Sequence, residues 1–422
     1  MKYAVITFGC RVNQADSLGF EEQLIAAGGV AVSPDAADLV VVNTCSVTAT
    51  SDQGARQTIR RVARDNPTAR IVVTGCYATR DAADVSALPN VVRVVPNDDK
   101  PQLIRLITSP TAEPDAAASI GDGPCGAAIA PGVMGRTAYT LRVQTGCAEP
   151  CSYCIIPATR GRPRSTPVAE LLSEIDRVAA RGFKEIALTG VHLGSYGRDL
   201  TPACGLIDLL RPVALKADVL FRISSLEPMD CTPEIVDLVA SSAAFAPHFH
   251  LPLQHASDRV LAAMRRPYTI ARYASLVDGI RARMPYASIG SDVIVGFPGE
   301  TDDDFAQLAS YLESSPLTHV HVFPYSDRPG TPASRMAGKV HGAVVRERAR
   351  RIRAIASALA TRFHDAQVGT THRALTLEDG TLAVTGNYLK VRIPPGQLRN
   401  EFVTVRVTAG GDPMRGVVDA RS

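Results

Sequence analysis

The sequence predicts an α/β protein in three parts: an N-terminal parallel-sheet α/β domain, a central (β/α)6 partial barrel of the TIM type, and a small all-β, OB-like domain at the C-terminus. Three observations predict it. Strand-like and amphipathic runs alternate up to residue 108, and the alternation resumes at Tyr139 after a stretch rich in Pro, Ala and Gly. The C-terminal segment then changes to β-type runs broken by Gly and Pro. Alternation of this length builds βαβ units on a parallel sheet, whereas short strands in succession close into a small barrel.

In the first part the strand-like runs are Tyr3–Thr7, Leu39–Asn43, Ile71–Thr74 and Val91–Val95, separated by amphipathic stretches at Gln14–Ala27, Ala49–Arg64 and Arg80–Ala87. Residues 109–136 lack periodicity and read as a linker. The central part, 137–362, offers six strands: Tyr139–Gln144, Glu185–Thr189, Leu220–Ser224, His248–Leu251, Ile289–Val295 and His319–Phe323. Helical runs such as Pro167–Ala180 and Pro233–Ser241 lie between them, and a basic helix, VVRERARRIRAIASALATRF, leads out. Six such units put functional loops at the strands' C-terminal ends. In 363–422 the runs RALTLEDG, TLAVTG, YLKVRI and EFVTVRVTA supply the β unit.

Composition narrows the class. With 422 residues, 45% hydrophobic and 21% charged, the chain suits several globular domains. A net charge of +3 leaves the partner open, although nearly all the basic residues are Arg, the better phosphate binder. No window approaches the twenty apolar residues of a membrane span. The start, MKYAVITFGC, reads as a first strand and not as an export signal, so a cytoplasmic monomer is expected. In a reducing compartment the nine cysteines point to metal or catalysis and not to disulfides.

Three of them fall in TGCAEPCSYC: Cys147, Cys151 and Cys154, directly after the first barrel strand. Thiolates are the ligands iron–sulfur clusters prefer, and this spacing wraps three corners of a cubane with one loop. Structural zinc is the alternative, but it wants four closed ligands, and the nearest His is His192. CxxxCxxC after the first strand of a six-unit barrel resembles the radical S-adenosylmethionine superfamily. The resemblance implies a [4Fe–4S] cluster whose free iron chelates S-adenosylmethionine, and a radical made by one-electron cleavage of that molecule. It also implies Tyr153 against the adenine. The strand-end loops LTGVHLGSYG, ISSLEP and DVIVGFPGE then offer Thr189, Gly190, Ser225, Glu227, Val295 and Gly296 as further contacts. Glu227 fits that role because a buried carboxylate without a partner is costly. The histidines of PHFHLPLQHASD could line the barrel mouth, but they read as structural and receive no role.

Cys10, Cys45 and Cys76 lie far apart in sequence, yet each falls just past a predicted strand of the N-terminal sheet. Loops past parallel strands share one edge, so the three thiols are expected to converge. Cys125, Cys204 and Cys231 fit no site. A converging N-terminal triad, a barrel CxxxCxxC and a C-terminal β unit resemble the methylthiotransferase family. FGCRVNQADS, TATSDQGARQTIRR, VTGCYA, CSYCIIPATRGRPRS, RISSLEP and PYSDRPGTPAS look most like its threonylcarbamoyladenosine tRNA branch. The isopentenyladenosine and ribosomal-protein branches are the near alternatives.

The family resemblance implies two [4Fe–4S] clusters, a TRAM-type RNA-binding domain, and methylthiolation at C2 of adenosine 37 in the tRNA anticodon loop, with an electron donor and a sulfur source besides. It assigns the radical to Cys147, Cys151 and Cys154 and sulfur delivery to Cys10, Cys45 and Cys76. A splayed loop base is the RNA such a pocket can take. Arg56, Arg60 and Arg64 recur along one helix face, and Arg346, Arg350 and Arg353 crowd another. Both sets are candidates for phosphate contacts. A non-catalytic RNA-binding protein with structural metal is the rival of a different class.

Overall fold

The computed structural model describes residues 1–108, 131, 137–216 and 218–419, so the predicted linker and Cys125 lie outside the described residues apart from Pro131. The N-terminal sheet comprises β1 (Lys2–Thr7), β2 (Val30–Ala31), β3 (Leu39–Thr44), β4 (Arg70–Gly75) and β5 (Val91–Val95). Its order is β2-β1-β3-β4-β5, with every pair parallel. β3 is buried along its whole length because helices cover both faces, as its unbroken LVVV run requires. Val40 and Val42 pack with Ile59 and Val62 of the helix Ala49–Asp65. Leu39 and Val41 face the opposite way, toward Leu24 and Leu103. β2, two residues long and exposed, carries too little pattern to be expected from sequence.

The central part contains β6 (Tyr139–Thr145), β7 (Arg164–Ser165), β8 (Glu185–Gly190), β9 (Leu220–Ile223), β10 (His248–His250), β11 (Ser288–Val295) and β12 (His319–Pro324). Two sheets result, β7-β6-β8-β9 and β10-β11-β12, parallel throughout except for the β6–β7 pair. A bridge from Phe221 to Phe245 and a bond from the Leu226 N–H to His250 O (2.9 Å) continue the arc between them. Among the described residues no ladder joins β12 back to β6, so the arc stays open. Aliphatic side chains of the strands and of the outer helices form one core cluster beneath it.

The helix Gly342–Asp365 leads to β13 (Thr371–Leu377), β14 (Leu382–Thr385), β15 (Lys390–Arg392), β16 (Phe402–Ala409) and β17 (Met414–Val418), a closed barrel in the order β13-β14-β15-β17-β16. β16 alternates inward Val403, Val405 and Val407 with exposed neighbours, the period of a half-buried strand. β17 escaped the sequence reading. It is short and contains Gly416, where a Cβ would lie 2.7 Å from Val391 Cγ1 and 2.8 Å from Val405 Cγ1.

Buried polar contacts join the three parts. Asp16, in the helix Arg11–Ala26, pairs with Lys100 (2.6 Å), with Arg160 (3.4 Å) and with Arg142. Burial opposes the Asp16 charge, but these three cations hold the carboxyl well below its ordinary range. Asn97 Nδ2 donates to Thr159 O (2.7 Å), and Arg328 pairs with Asp52 (2.9 Å). On the other side, fully buried Arg222 of β9 pairs with Glu185 (2.8 Å) and donates to Thr385 O (2.9 Å) and Gly386 O (2.6 Å) of the C-terminal barrel.

Candidate active site at the junction of the three parts

Each N-terminal cysteine sits where its strand ends: Cys10 after β1, Cys45 after β3, Cys76 after β4. The β3–β4 register places Thr44 beside Gly75, so Cys45 and Cys76 leave the sheet together. Backbone shape brings the first loop in. Gly9 has φ +88°, and a Cβ there would lie 2.5 Å from Cys45 Cβ and 2.6 Å from its Sγ. Only glycine allows that approach. All three thiols line one cavity of about 410 Å³. Burial pushes Cys45 up to about 11. Cys76, as deeply buried, is nonetheless held below its ordinary value because the charges of Arg160 and Lys100 outweigh the burial.

The CxxxCxxC loop leaves β6 and is pinned from several sides. Cys147 N–H donates to Gly161 O (3.0 Å), Ser152 N–H to Met264 O (3.1 Å), Ser152 Oγ to Ala263 O (2.8 Å), and Ala333 N–H to Ser152 O (2.8 Å). Arg266 Nη1 donates to Cys151 Sγ (3.3 Å). Burial pushes Cys147 up to about 11 and Cys154 to about 12. Three half-buried thiols with raised proton affinity, supported by a single guanidinium, make a poor resting arrangement. A bound cationic metal centre reverses the penalty and keeps the sulfurs as thiolates. Both triads are therefore chemically suited to iron–sulfur ligation, three donors each.

The cavity beside the N-terminal triad reaches the barrel's strand ends. Thr189, Gly190 and Ser225 line it, as do Ile156 and Arg160 just past Cys154. Tyr153 packs instead among Val260, Met264, Phe297 and Ala333. Glu227 lies outside that lining and, contrary to the premise of the sequence reading, has a partner: it is ion-paired with Arg266, the residue that also contacts Cys151. Val295 is fully buried, and the Gly296 N–H donates to Glu300 Oε2 (2.6 Å), so neither borders the cavity.

Sequence reasoning gave the remaining wall no role, although it noted that histidines of PHFHLPLQHASD could line the barrel mouth. His248 and His250 of β10 and His319 and His321 of β12 line the cavity, joined by Arg11 and by Tyr388 from the C-terminal barrel. Arg11 Nη2 donates to Tyr388 Oη, and the Tyr388 ring also covers the Arg222 guanidinium at 4.3 Å. The available signal was the H-F-H and H-V-H alternation, which puts both histidines of each strand on one face. His255 alone in that stretch is the core histidine expected, wholly buried and pulled down to about 4 by burial.

The arginines divide. Arg60, Arg64, Arg346, Arg350 and Arg353 are exposed, and Arg350 pairs with Glu347 (2.7 Å). Arg56 is half-buried, with Nη1 donating to Tyr77 Oη (2.9 Å). Arg348, in the same basic helix, is a buried structural residue bound to Glu300 (2.7 Å) and Asp302 (2.6 Å).

Comparison with known proteins separates what is general here from what is particular. Residues 2–96 match a family described as uncharacterized protein family UPF0004, and residues 141–312 match the radical SAM superfamily. The threonylcarbamoyladenosine tRNA methylthiotransferase MtaB of Aquifex aeolicus is 35% identical over 404 residues, covering 93% of this chain and 96% of that protein. That of Bacillus subtilis is 33% identical, covering 96% of this chain and 94% of its own. This chain belongs to the radical S-adenosylmethionine tRNA methylthiotransferase family. It is accordingly an enzyme, of a family that implies a [4Fe–4S] cluster and S-adenosylmethionine. Family membership also replaces the rival reading of a non-catalytic RNA-binding protein. The branches are close: a tRNA-2-methylthio-N(6)-dimethylallyladenosine synthase of Chloroflexus aurantiacus is also 35% identical, covering 97% of this chain and 89% of that protein. The fold is shared further afield with the radical S-adenosylmethionine methyltransferase TsrM of Kitasatospora setae (TM-score 0.57, 17% identity, 79% of this chain and 73% of that one). No helix among the described residues is long and apolar enough to cross a membrane.

Proposed function

We propose that this enzyme adds a methylthio group at C2 of N6-threonylcarbamoyladenosine at tRNA position 37, with one [4Fe–4S] cluster on Cys147, Cys151 and Cys154 and a second on Cys10, Cys45 and Cys76. When bound, the clusters and S-adenosylmethionine supply the one-electron chemistry, the sulfur site and the methyl group. The observation that carries the reading is the cavity at the junction. Thiols of the N-terminal sheet, strand ends of the central arc and Tyr388 of the C-terminal barrel all open onto it. A base inserted there meets the N-terminal thiols on one side and, on the other, the strand ends and Ile156, two residues past Cys154, while the CxxxCxxC thiols themselves lie outside the lining.

The residues' part is placement and exclusion of water. Thr189, Gly190 and Ser225 form the strand-end side, and Tyr153, Glu227, Val295 and Gly296 are assigned to the S-adenosylmethionine side. Arg266 holds Cys151 and Glu227 in one arrangement. Imidazoles, Arg11 and Tyr388 make the wall polar and hydrogen-bonding. Such a wall supports a carboxylate-bearing threonylcarbamoyl group over a dimethylallyl one, because burying a hydrocarbon there leaves polar groups without partners. The five-stranded C-terminal barrel is assigned as the TRAM-type RNA-binding domain. The exposed Arg60, Arg64, Arg346, Arg350 and Arg353, with Arg56, are assigned to tRNA phosphates in the cytoplasm.

The test is to express the chain in a bacterial strain lacking its own methylthiotransferases and to measure tRNA nucleosides by mass spectrometry. The 2-methylthio derivative of N6-threonylcarbamoyladenosine is expected. Appearance of the dimethylallyl product alone moves the enzyme to the other branch, and unmodified tRNA beside a thiolated ribosomal protein moves it out of RNA chemistry.

A further inference from the structure

We propose that His250, His319 and His321 form a mononuclear binding site for a divalent first-row transition ion, Zn2+ or Fe2+, in the same cavity as Cys10, Cys45 and Cys76 and distinct from either cysteine triad. The site is built by strand register. β11 lies between β10 and β12, and His250 and His319 both align with Gly290. A Cβ at Gly290 would lie 2.1 Å from His319 Nε2, so the imidazole of His319 occupies the space a side chain would fill and crosses toward His250. His321, two residues further along β12, points to the same face. One ring nitrogen from each of the three lies within 4.8 Å of the others. Among the described residues no other set of His, Cys, Asp or Glu comes so close, the cysteine triads included.

The surroundings match those of metal-bound imidazoles, whose orientation is fixed by a carboxylate or hydroxyl partner. Asp292 is in register with His321 and places Oδ1 3.1 Å from His250 Nε2. Thr318 Oγ1 lies 3.1 Å from His319 Nδ1, leaving Nε2 toward the cluster. Three imidazoles with a nearby carboxylate are the donor set of zinc and ferrous sites, and they leave coordination positions open. Since all three histidines line the cavity, an oxygen or nitrogen ligand completing the coordination enters from it.

The experiment uses full-length protein reconstituted anaerobically with iron and sulfide, then given a small excess of Zn2+ and desalted. Metal content is counted by mass spectrometry and the zinc environment read by X-ray absorption. The expected result is about one zinc per chain with nitrogen or oxygen neighbours near ~2.0–2.1 Å. His319→Gln combined with His321→Phe is expected to lower zinc affinity at least tenfold with the iron count unchanged. A second variant, the exposed His321→Phe alone, guards against misfolding and is expected to weaken retention in the same direction. No retained zinc, sulfur neighbours near ~2.3 Å, or undiminished affinity in both variants overturns the proposal. None of these readouts depends on which base is thiolated.

Discussion

Replacing Gly75 by Ala is expected to separate the two triads. Gly75 has φ +99° and ψ −171°, a region that is essentially glycine-only and costs of order 1–3 kcal/mol for other residues. A Cβ there would also lie 2.2 Å from Thr44 O and 2.6 Å from Thr44 N, more than ~1 Å inside van der Waals contact. Nothing flexible can yield, because both atoms are backbone of the central strand. Thr44 immediately precedes Cys45, and Gly75 immediately precedes Cys76, so the displacement falls on two of the three thiols and on no part of the CxxxCxxC loop. Strain and overlap together should cost ~3 kcal/mol or more at the strand ends, in the range of overpacked cores. Anaerobic reconstitution followed by iron assay and Mössbauer spectroscopy gives the readout. The wild type should hold about eight irons per chain, and Gly75→Ala should hold about four while still cleaving S-adenosylmethionine. A variant with the full iron complement and normal thiolation would falsify the account of how these strands aim their cysteines.

Other consequences are independent of that one. Cys45→Ala should cleave S-adenosylmethionine under reduction yet yield no methylthiolated tRNA, as read by nucleoside mass spectrometry. Asp16→Asn leaves Lys100 and Arg160 buried without this carboxylate and takes one partner from half-buried Arg142, and should lower stability by ~3–5 kcal/mol in denaturant titrations. Because the folded state depresses the Asp16 pKa, its contribution is complete above about pH 4 and is lost as pH falls below that. The wild type should therefore lose stability on acidification more steeply than Asp16→Asn, and equal slopes would contradict the pairing. Arg266→Gln removes a charged donor from Cys151 and should move the midpoint potential of the barrel cluster to more negative values in a titration followed by electron paramagnetic resonance. An unmoved potential would mean that the contact has no electronic effect.

What the sequence revealed follows from the range over which each feature is encoded. CxxxCxxC is local, and β3 declares itself by its unbroken LVVV run. The distant Cys10, Cys45 and Cys76 were legible because each follows a strand, and parallel order brings such loops to one edge. The histidine wall as a whole was not legible, since it depends on which strands flank β11 and on a missing side chain at Gly290. Tyr388 was hidden for the same reason, as its place in the cavity is set by docking of a separate barrel. Helical spacing also could not sort Arg348 from Arg346 and Arg350. The periodicity groups them, but only packing against Glu300 shows that Arg348 faces inward.

The grip of Arg222 on the C-terminal barrel has an evolutionary corollary. Its guanidinium clasps the main-chain oxygens of Thr385 and Gly386, atoms every amino acid provides, while Tyr388 three positions later overlooks the cavity. These two bonds are thereby independent of side-chain identity at 385 and 386. Position 388 is not free in the same way: exchanging Tyr388 changes the wall of the pocket and also removes the ring that covers the guanidinium holding the barrel.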